Sequence, residues 1–159
     1  MLVRLEARLR ALGVQCHRAA PPKGRPAPEL AAEVAWLAGQ VKATGATILI
    51  GRSFGGRICA RYAAAHGARC VVLLGFPVRP PKRPRPLDEA ALAALRCPTL
   101  IVQGSKDELG PLRVLRPLCA KNPRLTLHVL DGAGHSFGKH ERAALDVAAG
   151  WISQYKASR

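Results

Sequence analysis

The chain has 159 residues, 48% of them hydrophobic, with 25 Lys and Arg against 10 Asp and Glu for a formal charge of +15. A chain of about this length buries about 70% of the surface it exposes when unfolded, so a single domain over residues 1–159 is expected and intrinsic disorder is not. Its apolar runs are broken by charge well short of the roughly 20 residues a membrane span needs, and residues 1–12 carry no export-signal pattern, so no membrane association is expected.

Leu2, Leu5, Leu9 and Leu12 recur at helical spacing before Gly13, which predicts a helix over 2–12. Residues 14–18 read as a short strand, and a Pro-rich loop follows to Pro28. A second helix starts near Pro28, with Leu30, Val34, Leu37 and Val41 on one face, and ends near Thr44-Gly45. The run 46–50 is continuously apolar with β-branched residues and reads as a strand buried on both faces. The pattern then repeats: helix 55–66, strand 70–75, helix 88–95, strand 98–103, helix 109–121 interrupted by Pro117, strand 125–130 and helix 141–155. Strands alternating with helices predict a three-layer α/β/α sandwich with a mostly parallel sheet of about five strands. The right-handed crossover rule puts the helices 2–12 and 141–155 together on one face.

Charge and cysteine usage narrow the partners. The arginines are spread through the chain and only 4% of residues are aromatic, so the basic balance does not amount to a nucleic-acid footprint. One dense basic run, Arg79, Lys82, Arg83 and Arg85 among prolines, follows the carboxyl end of the strand 70–75, and so is expected near the mouth of any site on that edge. Cys16, Cys59, Cys70, Cys97 and Cys119 show no C-x-x-C spacing, which fits reduced thiols and a cytoplasmic setting.

Gly51-Arg52-Ser53-Phe54-Gly55 lies between a buried strand and a helix, where a G-x-S-x-G nucleophile elbow has to sit. The turn is tight enough that small residues are expected two before and two after the serine, and the helix start behind it offers N–H groups to an oxyanion. A serine nucleophile needs a base and an orienting acid. His135 follows the strand 125–130 and Asp107 follows the strand 98–103, with Glu108 and Asp131 as the next candidates for the acid. In a parallel sheet these loops share one edge, so Ser53, Asp107 and His135 are expected to converge. His17, His66, His128 and His140 lack such placement and are expected to be structural or exposed. There is no zinc-ligand spacing, no P-loop and no dinucleotide fingerprint, so neither a metal nor a cofactor is implied.

Through Gly51 to Arg57, Pro98 to Asp107 and Gly132 to Ser136, the chain resembles the α/β-hydrolase superfamily over nearly its whole length. More narrowly, it resembles a dienelactone-hydrolase-like branch that includes testis-expressed α/β-hydrolase-like proteins and the hydrolase-like domain of a non-specific-lethal complex subunit, with Phe76-Pro77 and Pro81-Lys82 matching that pattern. The resemblance implies a Ser53, Asp107, His135 triad with Phe54 N–H as an oxyanion donor. It also implies a further strand, and a loop supplying a second oxyanion donor, ahead of the first helix. Here the chain opens directly on that helix, so the expectation is either direct pairing of the runs 14–18 and 46–50 in a reduced sheet or a fragment of a longer protein. The leading expectation is a serine hydrolase acting on a small-molecule carboxylic ester or related acyl substrate. The alternative is a weak or inert scaffold of the same fold that binds a protein partner.

Overall fold

The computed structural model describes residues 1–45 and 48–155. Four parallel strands, β1 (Ile48–Arg52), β2 (Cys70–Leu74), β3 (Thr99–Gly104) and β4 (Leu125–Leu130), lie side by side in sequence order. Registers run from Ile48 opposite Cys70 to Gly104 opposite Leu130, so every carboxyl end reaches the same edge. Helices α1 (Leu2–Ala11), α2 (Ala31–Thr44), α3 (Phe54–His66), α4 (Pro86–Ala94), α5 (Leu112–Lys121) and α6 (Glu141–Ser153) cover the two faces.

The period-2 alternation of the central strands divides the core. Val71, Leu73 and Ile101 face one cluster with Ala60, Leu92 and Leu115 from α3, α4 and α5. Val72, Leu74, Leu100 and Val102 face the other, with Leu5 and Leu9 of α1 and Ala144, Leu145, Ala148 and Ile152 of α6. Helices α1 and α6 thus share one face, as the crossover rule requires. Side chains such as Leu73, Leu92 and Leu115 are fully buried, each worth about 1.5–3 kcal/mol of apolar transfer.

Among the described residues the sheet has four strands rather than about five. Residues 14–18 form no ladder with β1 among the described residues. Val14 N–H turns back to Leu9 O at the end of α1, and Cys16 O accepts from the Arg10 guanidinium, both at 2.9 Å. Val14 and Cys16 instead pack their side chains against the α1/α6 cluster. The short apolar run is therefore anchored through its side chains and through α1, and the outer edge of β1 has no paired strand among the described residues. Of the run 46–50, residues 46 and 47 lie outside the described residues, and β1 continues to Arg52.

Element ends move for local reasons. Helix α2 starts at Ala31, not near Pro28, because Leu30 ahead of it takes a left-handed φ of 54°. Helix α4 starts at Pro86, whose missing N–H is harmless in a first turn. Helix α5 starts at Leu112 because residues 109–111 close the loop after β3.

Candidate functional site

Each strand's carboxyl end leads straight into a site loop, and the ladder is prolonged there. Ser53 N–H donates to Leu74 O, Gly75 N–H to Val102 O and Ser105 N–H to Leu130 O, at 2.9–3.0 Å. Ser53, between β1 and α3, has φ 48° and ψ −113°, a left-handed conformation in which a serine is strained. The turn folds so closely that a Cβ on Gly51 would collide with Gly55 O and Gly56 Cα. The expected demand for a small residue two after the serine is not met: a Cβ on Gly55 meets nothing within 4 Å. It falls on Gly56 instead, where a Cβ would stand 3.3 Å from Gly51 O. Gly55 escapes because it faces a cavity that runs along β1.

Ser53 Oγ lies 2.9 Å from His135 Nε2, and His135 Nδ1 lies 2.9 Å from Asp107 Oδ2. Asp107 is only 3% exposed, and its Oδ1 accepts from Leu109 N–H at 2.9 Å. Because a carboxylate can only accept, the network assigns the His135 proton to Nδ1 and leaves Nε2 to accept from the serine hydroxyl. The other acid candidates stand elsewhere: Glu108 is exposed, and Asp131 accepts from Ser105 Oγ at 2.9 Å. His66 is exposed and stacks 4.7 Å from Tyr62, while His128 lies on β4 and His140 ends the 3-10 turn before α6.

The loops carrying the acid and the histidine are fastened to each other. Lys106 N–H donates to Ala133 O at 2.9 Å, and a Cβ on Gly104 would run into Ala133 O, so the strand end admits only glycine without displacement. Gly75, at φ +60°, brings backbone under the imidazole; a Cβ there would stand 3.2 Å from His135 O.

Two features were not visible in the sequence. Gln103, fully buried at the end of β3, donates from Nε2 to Asp107 Oδ2 at 2.7 Å and accepts Phe76 N–H on Oε1 at 2.8 Å. A polar residue directly after the apolar run of β3 was the available signal. Beside the elbow, fully buried Asp88 receives Arg57 Nε at 2.6 Å and Arg61 Nε at 2.8 Å. The Arg57 guanidinium lies 5.8 Å from the Phe54 ring centroid.

Phe54 opens α3, so its N–H is among the four donors that helix geometry leaves free, directly behind the serine. The basic loop roots at this edge: Arg79 N–H donates to Leu109 O at 3.0 Å, two residues past Asp107. The Arg79 side chain is taken by Glu89 at 2.6 Å, whereas Lys82 and Arg83 are exposed. Burial, and the neighbouring Arg57 after it, lower the Arg85 pKa. Burial likewise pushes the Cys59 and Cys70 thiols up to about 12, and all five cysteines are free. No helix among the described residues is long and apolar enough to cross a membrane, and none of their His, Cys, Asp and Glu side chains cluster as metal ligands.

A parallel sheet with helices on both faces and a strained serine turn at its carboxyl edge defines an α/β protein with its candidate site in that turn. Residues 13–158 match the model of the alpha/beta hydrolase domain, and the chain belongs to that family. No curated protein sequence matches it. Among solved structures it is similar to a monoacylglycerol lipase from Paleococcus ferrophilus, with TM-score 0.78 and 14% identity over 96% of this chain and 88% of that one. It is also similar to an alpha-beta serine hydrolase homologue from Coxiella burnetii, with TM-score 0.68 and 21% identity over 98% of this chain and 76% of that one. A serine hydrolase without a lid from Xanthomonas campestris gives TM-score 0.70 and 18% identity over 99% and 74% of the two chains. At these identities the likeness is one of fold. Membership of the family supports a hydrolase in general.

Proposed function

We propose that this chain is a serine hydrolase that cleaves a carboxylic ester or related small-molecule acyl bond, residues 1–159 acting as one domain. The observation that carries the reading is the Ser53–His135–Asp107 relay, with both links at 2.9 Å, on a strained turn at the start of a helix. Ser53 Oγ attacks the carbonyl carbon as its proton passes to His135 Nε2, and the carbonyl π pair moves to oxygen. Phe54 N–H, at the positive end of α3, faces that developing charge. Collapse of the intermediate breaks the bond to the leaving group, which takes the proton back from His135. Water then repeats the sequence on the acyl-serine, releasing the acid and restoring the hydroxyl. Asp107 fixes the imidazole and compensates the imidazolium formed in each half-reaction.

Within the family we assign the chain to the dienelactone-hydrolase-like branch, supported by Gly51-Arg52-Ser53, Phe76-Pro77 and Pro81-Lys82. Five free thiols support a reducing, cytoplasmic compartment. A fluorophosphonate probe tests the central claim. Covalent labelling of the folded protein that disappears in Ser53→Ala is the expected result. Absence of labelling in protein with an intact cooperative unfolding transition overturns it in favour of an inert scaffold.

A further inference from the structure

The loop between β2 and α4 is tied to every member of the Ser53 relay. At its start Gly75 lies under the imidazole, where a Cβ would stand 3.6 Å from His135 Nδ1. Phe76 N–H donates to the Gln103 amide that holds Asp107, and Arg79 N–H donates to Leu109 O, two residues past the acid. Just beyond its end Asp88, in the first turn of α4, binds Arg57, whose own backbone N–H donates to Ser53 O at 3.2 Å. The loop therefore lines the rim of the site, and it carries Arg79, Lys82, Arg83 and Arg85.

This charge is not balanced within the fold. Glu89 takes Arg79, but Lys82 and Arg83 are exposed and form no ion pair among the described residues. Arg85 is half-buried and gives one terminal nitrogen to Pro77 O at 3.2 Å. Arg57, Arg83 and Arg61 all act against its charge, and the one carboxylate that favours it, Asp88, is already shared by Arg57 and Arg61. Four guanidiniums gathered about a single carboxylate leave a positive excess that an anion would neutralise. The tip of the loop is also strained. Arg83 N–H closes a turn onto Pro80 O at 3.1 Å with Pro81 and Lys82 at its corners, and Lys82 has a φ of 57° where glycine is the usual residue. The chain thus keeps a cation where backbone energetics favour a residue without a side chain.

We propose that Lys82, Arg83 and Arg85, backed by Arg57, form an anion subsite on the rim of the Ser53 site, and that the ester cleaved there carries a second group, a carboxylate or a phosphate, that docks in it. The proposal rests on the serine-hydrolase reading and adds a substrate class to it. Guanidiniums suit such a group because their planar forks donate paired hydrogen bonds to two oxygens and keep their charge at any working pH. The subsite takes no part in bond breaking. It binds and orients, so its effect falls on KM and on the response to salt.

Two kinds of measurement test this, one of them independent of turnover. Calorimetric titration of Ser53→Ala with inorganic phosphate and with adipate, in chloride buffer of constant ionic strength, is expected to show saturable binding, the tighter ligand naming the group. Combining Lys82→Met and Arg83→Met, at exposed side chains that hold nothing in place, should weaken it about tenfold, whereas Arg142→Met on the exposed side of α6 should not. In turnover, kcat/KM for the p-nitrophenyl half-ester of adipic acid should exceed that for p-nitrophenyl hexanoate about tenfold at low salt, through KM. If phosphate is the tighter ligand, p-nitrophenyl phosphonopentanoate takes the place of the half-ester. The advantage should shrink in the double variant, and also as KCl shortens the screening length from about 10 Å at 0.1 M to about 3 Å at 1 M. No binding of either anion, or a preference for the anionic ester that is absent or that survives both salt and the double variant, overturns the proposal. Failure of fluorophosphonate labelling would count against the hydrolase reading instead, and the anion titrations would still decide the subsite.

Discussion

Gln103 holds Asp107 from below: its Nε2 reaches Asp107 Oδ2 at 2.7 Å and Gly110 O at 3.1 Å, while its Oε1 takes Phe76 N–H at 2.8 Å. The same carboxylate oxygen faces His135, so the amide sets the angle at which the acid meets the imidazole. Gly110 lies so close that a Cβ on it would strike both Phe76 O and the Gln103 amide. In the proposed hydrolase Gln103 positions the acid, with no slack around it. Gln103→Leu is expected to lower kcat about 10- to 100-fold with KM little changed, by analogy with other outer-shell partners. Gln103→Glu, nearly the same shape, should be worse because it sets a second carboxylate against Asp107. Steady-state kinetics on one ester separates the two, and a KM rise with unchanged kcat would contradict the assignment.

Asp88 should be a stability hot point although it lies outside the relay. Its carboxylate is fully buried in the first turn of α4 and joins that helix to α3 through Arg57 and Arg61. Asp88→Ala leaves two guanidiniums crowded together without their common partner. Removing one member of a buried ion pair costs about 3–5 kcal/mol, so the urea midpoint should fall sharply. A change under 1 kcal/mol would show that water reaches and relaxes the cluster (about the value of an exposed pair).

Alkaline stability should report the buried thiol of Cys59. Its pKa rises from 9.0 to about 12 because burial penalises the thiolate. Above pH 9 the unfolded chain loses that proton while the folded chain keeps it, so folding becomes less favourable as pH rises toward 12. The stabilisation is complete below pH 9 and declines by about 1.4 kcal/mol per pH unit within that window. Urea unfolding at pH 8 and pH 10.5 should therefore show a larger loss for wild type than for Cys59→Ala. Parallel losses in the two proteins would refute the coupling.

What could be read in advance was whatever rests on short-range pattern. The buried runs at β2, β3 and β4 are continuous apolar segments bounded by loop residues, and the crossover rule sorted α1 and α6 onto one face without any coordinates. The convergence of the loops that carry Ser53, Asp107 and His135 was legible because each follows an apolar run, and the His135 ring stands 2.9 Å from both the Ser53 hydroxyl and the Asp107 carboxylate. Residues 14–18 misled because an apolar alternation marks side-chain burial, and burial against α1 and α6 satisfies it as well as a ladder does. Gln103 and the Arg57–Asp88 pair were hidden for another reason. Their partners lie at loop tips and on other helices, and only the packed fold shows which carboxylate a buried amide or guanidinium meets. The end of α2 nearest Leu30 depends on a single left-handed residue that no propensity favours.

The conformation of Ser53 bears on how this chain would change over generations. Serine in a left-handed backbone conformation sits about 1–2 kcal/mol above glycine, less the roughly 0.5–1 kcal/mol of extra chain freedom that glycine loses on folding. Ser53→Gly should therefore melt no lower than wild type, whereas Ser53→Ala keeps the penalty and gains nothing; differential scanning calorimetry would rank them. At the proposed nucleophile, folding and chemistry thus pull in opposite directions. In a lineage released from selection for turnover, drift at residue 53 meets no resistance from stability, while Leu73 a strand away stays fixed by the core. A descendant with glycine at 53 and every apolar strand position intact would be the expected remnant of such a release, and its sheet would give no sign that anything had been lost.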